Sequence, residues 1–122
     1  MVRADRAGSN GPARDLHPLV AVLRHVALFR WKPEATAADV SRVEAALHQL
    51  PGKIPCIQSY RFGRDLGVQD GNADFALVAD FTDQEGLTTY ANHPDHQAVI
   101  QNLIRPIMAQ REAIQYVIDH SD

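Results

Sequence analysis

Cysteine is nearly absent from this chain. The single thiol, Cys56, excludes an intrachain disulfide and makes a reducing compartment, the cytoplasm, the expected location. A lone cysteine among apolar neighbours reads as packing before it reads as a nucleophile. Long hydrophobic runs are missing too. The longest, Leu19 to Leu23, is far too short to span a bilayer, and no charged-then-apolar leader with a small-residue cleavage site is legible. Charge of one sign is also scarce. With a net charge of −3 and its lysines and arginines scattered, the chain has no electrostatic footprint for nucleic acid. A Gly-rich phosphate loop, a serine elbow and paired-carboxylate motifs are absent. What is present is a 122-residue chain, 45% hydrophobic and 22% charged, long enough for one core without staples. The first twenty residues mix Gly, Pro, Arg, Asp and Ser without periodicity. Residues 1–22 are therefore expected to form a mobile tail, and residues 23–120 the folded domain.

From Leu23 the pattern becomes regular. Leu23 to Trp31 alternates as a strand, with Leu23, His25, Ala27, Phe29 and Trp31 on one face and Val26 and Leu28 on the other. Thr36 and Asp39 form a helix N-terminal signal. Val40, Val43, Leu47 and Leu50 follow at helical spacing until Pro51-Gly52, where the helix is expected to stop. A second strand spans about Cys56 to Arg64, with Gln58, Tyr60 and Phe62 sharing a face, and the Gly67 to Asn72 segment turns it into a third strand from Ala73 to Thr82. Thr82 and Glu85 predict a capping box opening a short helix through Leu87, Tyr90 and Ala91. Pro94 restarts a longer helix to about Arg105, where Pro106 ends or kinks it, and a last strand passes through Ile114, Tyr116, Val117 and Ile118. The order β-α-β-β-α-β predicts an α+β ferredoxin-like protomer. Val26, Leu28, Ile57, Ala76 and Val78 are the candidates for the sheet face that the helices leave uncovered, and two copies stacked sheet to sheet would bury them as a homodimer.

The chemistry-bearing stretch is Tyr90-Ala91-Asn92-His93-Pro94-Asp95-His96. Placed on a helix at ~100° per residue, Ile100, Leu103 and Ile107 lie within roughly 40° of His96. His96 thus belongs to an apolar face, where a titratable ring is costly unless it is paired or used. An imidazole in an apolar pocket is held neutral and able to accept a proton near neutral pH, with Tyr90 placed to orient it or to donate to a reacting carbonyl. The competing assignment is a helix-start histidine satisfied by a backbone carbonyl, with Tyr90 as core. His25 shares its strand face with Ala27 and Phe29 and is a candidate pocket donor. His93 and His96 have His-x-x-His spacing, but no carboxylate or cysteine partner accompanies them, so no metal is expected, and His93 before Pro94 is read as fixing a turn. Small Ala27, Ala76 and Ala79 leave room for a cavity, and the aromatic residues either line it or fill the core.

These pieces together resemble a known family. The strand opening His25-Val-Ala-Leu-Phe-Arg-Trp-Lys, the Ile54-Pro55 loop, Gly63 and Tyr90-x-x-His93-Pro94-x-His96 are similar to the stress-responsive α/β-barrel (Dabb) family over about Arg24 to Asp119. The resemblance implies a dimeric α+β barrel. In the family branch of polyketide cyclases, which close an aromatic ring by aldol condensation without a cofactor, it implies a base at His96, an assisting tyrosine at Tyr90 and a pocket histidine at His25. A further histidine of that branch falls at Phe75 here, a departure that bears on the substrate rather than on the base.

The expected function is a cofactor-independent cyclase, lyase or isomerase acting on a small hydrophobic carbonyl compound. Its catalytic residues would be His96 and Tyr90, its substrate-binding residues His25, Ala27, Phe29, Phe75 and Leu103. Two alternatives come from other classes: a non-catalytic ligand-binding or stress-protective dimer, and a cofactor-free monooxygenase of the dimeric barrel superfamily.

Overall fold

Alternation sorts the first strand cleanly. In the computed structural model, which describes residues 21–118, β1 (Val22–Trp31) buries His25, Ala27 and Phe29 on one side and exposes Leu28 and Arg30 on the other. The tail expected over residues 1–22 lies, up to residue 20, outside the described residues. Helix α1 (Ala37–Lys53) opens on a reciprocal capping box: the Asp39 N–H donates to the Thr36 hydroxyl, and the Thr36 N–H to the Asp39 carboxylate. Its stripe of Val40, Val43, Leu47 and Leu50 is buried as the spacing requires. The helix does not stop at Pro51. It carries the proline in its last turn and closes on the Ile54 N–H, which donates to the Leu50 carbonyl at 2.9 Å.

Strands β2 (Ser59–Arg64) and β3 (Phe75–Phe81) pair antiparallel across a loop in which Gly67 and Gly71 take positive φ. Ile57, expected on the uncovered face, lies before β2 and packs against the core instead. Cys56 also packs there, with its thiol 3.3 Å from the Gly86 carbonyl. Helix α2 (Gln84–Asn92) is capped by Asp83, which accepts from the Gly86 N–H, and not by Thr82, whose hydroxyl accepts from the Gln58 amide. Helix α3 (Pro94–Val99) gives way to a π-helical turn over Ile100–Ile104 and a 3₁₀ turn over Arg105–Ile107, and β4 (Met108–Ile118) completes the chain. Pro106 has no N–H, and its ring would crowd an α-helical carbonyl one turn back, so the α ladder cannot run through it.

The sheet order is β2-β3-β1-β4, antiparallel throughout, and the elements follow β-α-β-β-α-β. This is the ferredoxin-like arrangement. Phe75, Leu77, Ala79 and Phe81 of β3 and the buried stripe of α1 form the core between the helices and one sheet face. The opposite face carries Val26, Leu28, Val78, Ile114 and Tyr116, of which Leu28, Ile114 and Tyr116 are 40%, 60% and 46% exposed. Across that face Arg24 grips Asp80 through two hydrogen bonds of 2.8 and 2.9 Å. No helix among the described residues is long and apolar enough to cross a membrane.

Candidate active site

Each ring of the candidate site is set by a different backbone feature. His93 precedes a proline and is therefore held extended, at φ −65° and ψ 135°. That geometry lets one residue end α2 and begin α3: its N–H donates to the Tyr90 carbonyl, and its Nδ1 accepts from the Asp95 N–H at 3.1 Å. His93 fixes a turn, and its Nδ1 is thereby occupied. Among the described residues no three His, Cys, Asp or Glu side chains cluster as metal ligands.

The break at His93 swings the start of α3 back over the end of α2. His96 Nδ1 lies 3.2 Å from the Ala91 carbonyl, which also accepts from the Gln97 side-chain amide at 2.6 Å. A carbonyl can only accept, so the proton of the neutral His96 ring sits on Nδ1 and Nε2 carries the lone pair. Burial lowers the proton affinity of the ring, the bond to Ala91 opposes it, and the positive charge of Arg111 lowers it further.

His25 has the opposite arrangement. It is 6% exposed at the start of β1, where Gln115 of β4 stands directly across the strand pair. The Gln115 amide nitrogen lies 2.9 Å from His25 Nδ1. That nitrogen can only donate, so Nδ1 accepts and the ring proton sits on Nε2. Burial, then Arg111 and His96, lower the proton affinity of His25.

Tyr90 is buried, with its ring tilted 31° to that of His96 and the ring centres 4.1 Å apart. Its hydroxyl does not bond to His96. It lies 2.8 Å from the Tyr60 hydroxyl of β2. Either hydroxyl can donate across this pair, and of the two only Tyr90 borders the cavity. When Tyr60 is the donor, the Tyr90 hydrogen is free to face that cavity. Burial pushes the Tyr90 phenol up to about 12 and Tyr60 still higher, so both remain protonated.

A cavity of about 280 Å³ joins these groups, at the small end of ligand sites. His25, Ala27, Phe29, Tyr90 and His96, five of the seven site residues expected from sequence, border it. Phe75 and Leu103 do not. Phe75 sits beyond Phe29 in an aromatic cluster with Trp31 and Phe62, and Leu77 forms the β3 wall in its place. Leu103 falls within the π turn, where α-helical spacing no longer holds, and Ile104 faces the cavity instead.

With this geometry the chain matches the model of the stress responsive A/B barrel domain, Dabb, over residues 23–118. It belongs to the Dabb family. A dimeric ferredoxin-like protein of unknown function from Thermobifida fusca is 44% identical, with a TM-score of 0.75, over 80% of this chain and 92% of that one. A Dabb family protein from Mesorhizobium loti is 22% identical (TM-score 0.68; 80% and 97% covered), and a hydroxynitrile lyase from Passiflora edulis 17% identical (TM-score 0.71; 80% and 94% covered). Both share the fold. No curated protein matches the chain significantly.

Sequence reasoning on this Dabb chain passes over four site residues: Tyr60, Arg105, Arg111 and Gln115. Tyr60 is legible only as one of the chain's eight aromatic residues. Arg111 and Gln115 share the inward alternation of β4, but the apolar signal of that strand starts three residues after Arg111. Pairing with Phe29 and His25 across the register shows which way they point.

The two rings make a stability prediction. Both folded-state proton affinities are lowered, so above the ordinary histidine value near 6.5 neither state binds the proton and nothing is lost. Below it the unfolded chain takes up protons that the folded rings refuse, and stability falls at up to about 1.4 kcal/mol per pH unit for each ring. Urea unfolding between pH 8 and 5 should show a plateau above about pH 6.5 and a decline below it that shrinks in His25→Gln/His96→Gln. An equal decline in that variant would contradict the assignment.

Proposed function

We propose that this Dabb chain is a homodimeric small-molecule enzyme that takes a proton from carbon next to a carbonyl, in a cyclisation, lyase or isomerisation reaction. One observation supports it above the others: a single small cavity carries an imidazole with a bare nitrogen, His96, and an imidazole with a protonated one, His25. Proton abstraction alpha to a carbonyl needs this combination of acceptor and donor. His96 Nε2 receives the proton. The Ala91 carbonyl, already bonded to Nδ1–H, stabilises the imidazolium that forms. The Tyr90 hydroxyl and His25 Nε2–H are the donors for the developing enolate oxygen, and Tyr60 holds the Tyr90 hydroxyl in position. The enolate carbon then attacks a second carbonyl or expels a leaving group, and His96 returns its proton to the product. The low proton affinity of His96 keeps the base in its working form at neutral pH.

The bond between Ala91 and His96 also meets the alternative in which the ring is merely a capped structural histidine. It occupies Nδ1 alone, and His96 borders the cavity rather than being walled in by Leu103 and Ile107. The Passiflora edulis protein is a lyase on the same fold, and at 17% identity that likeness extends to the fold alone. The polyketide-cyclase branch that the sequence resembles fits the same three residue types, while Phe75 departs from it.

The homodimer rests on the exposed apolar face of Leu28, Ile114 and Tyr116 and on the dimeric Thermobifida fusca protein at 44% identity. Sedimentation equilibrium should give twice the 13.5 kDa chain mass, and Leu28→Glu with Ile114→Glu should give the monomer. A monomeric wild-type chain would overturn the dimer.

For the chemistry, deuterium exchange at the alpha carbon of small ketones and 1,3-diketones provides the assay. His96→Ala should lower the exchange rate by about 10²–10⁴-fold while the dimer persists. An unchanged rate in that variant would remove the base assignment and leave a ligand-binding barrel.

A further inference from the structure

The cavity wall is basic in a chain that is acidic overall. Arg105 and Arg111 border it beside His25 and His96, and no Asp or Glu does so, although the chain carries a net charge of −3. Elsewhere Arg24, Arg42 and Arg64 each hold a carboxylate and Arg30 holds the carbonyls of Gly71 and Asn72, while Arg61 of β2 pairs with no carboxylate among the described residues. Among the described residues no carboxylate pairs with Arg105 or Arg111. Arg111 pairs with Phe29 in the β1–β4 register, four residues before Gln115 on the same strand face, so its guanidinium belongs to the cavity side of the sheet. Its positive charge is felt at His25, Tyr90 and His96 alike. It borders the same cavity as all three polar groups, and the residue is exposed to solvent.

We propose that the cavity binds an apolar carboxylate, with the carboxylate held by Arg111 at the solvent-exposed side and the apolar body lying against Phe29, Leu77, Ile100, Ile104 and Met108. The guanidinium fork matches a planar carboxylate with two parallel hydrogen bonds, and a site shielded on its other sides strengthens them. Arg111 without an anion repels protons from both imidazoles. A carboxylate seated on it offsets that charge. The proposal rests on the function proposed above and narrows its substrate to a carbonyl compound that also bears a carboxylate. Arg105 adds a second positive charge at the same wall and favours anions over neutral ligands. The small volume and the apolar walls favour an organic acid over a free phosphate.

The test uses the full chain and three probes: benzoate, its neutral isostere benzamide, and inorganic phosphate, each titrated by calorimetry against wild type, Arg111→Gln, Arg111→Lys and His96→Gln. Benzoate should bind wild type at least about tenfold more tightly than benzamide or phosphate. Arg111→Gln should weaken benzoate by about tenfold or more and leave benzamide unchanged. Arg111→Lys should recover only part of the loss, because a point charge replaces a fork. Equal affinities for benzoate and benzamide, no binding of benzoate, phosphate binding as tightly as benzoate, or indifference to Arg111→Gln would each overturn the proposal. His96→Gln separates the two claims. Benzoate binding that depends on Arg111 and survives in His96→Gln, in a wild-type protein that exchanges no alpha proton, keeps the anion site and removes the catalytic function. Alpha-proton exchange that depends on His96, with benzoate and benzamide bound alike, does the reverse.

Discussion

The backbone carbonyl of Ala91 is the contact on which the site depends. It is freed by the break at His93-Pro94, which ends one helix and starts the next, and it accepts from both His96 Nδ1 and the Gln97 amide. That single acceptor decides which nitrogen of His96 keeps a lone pair and which way the ring stands against Tyr90. Without the proline, α2 would continue, Ala91 would bond within its own helix, and the imidazole would lose both its orientation and its tautomer. A feature that looks like a helix defect sets the ring on which the proposed chemistry rests.

The rest of the cavity is built around that ring by ordinary strand and helix packing. Strand β1 supplies His25, Ala27 and Phe29 from alternate positions, and the small side chain of Ala27 leaves space where a larger residue would fill it. The π turn at Ile100–Ile104 lets the chain leave the helix before Pro106, and the same turn sets which isoleucine closes the cavity. Gln115 and Tyr60, on the strands either side of the central pair, fix the proton of His25 and the hydroxyl of Tyr90. Donors and acceptor are thus held by elements of opposite kinds. The acceptor hangs on helix caps, and the donors are braced from the sheet.

Much of this was legible in the sequence where local rules apply. The strand alternation of Leu23 to Trp31, the Thr36–Asp39 cap, the β-α-β-β-α-β order and the Tyr90 to His96 segment all follow from period, cap chemistry and proline geometry. Two kinds of feature were not. Leu103 was expected in the cavity because α-helical spacing was extended through residues that form a π turn. Arg111 and Gln115 are placed by the β1–β4 register and Tyr60 by the packing of α2 on β2, and no local pattern reports either. Phe75 shows the same limit, since its residue type fits a pocket wall but its place in β3 lies beyond Phe29.

The claim that joins all of this is that His96 and His25 face one cavity as opposite tautomers. Nitrogen-15 NMR of the labelled chain at pH 7.5 reads the two rings directly. His96 should show a protonated Nδ1 and a bare Nε2, and His25 a bare Nδ1 and a protonated Nε2. The same tautomer in both rings, or a His96 ring with protons on both nitrogens, would contradict the account.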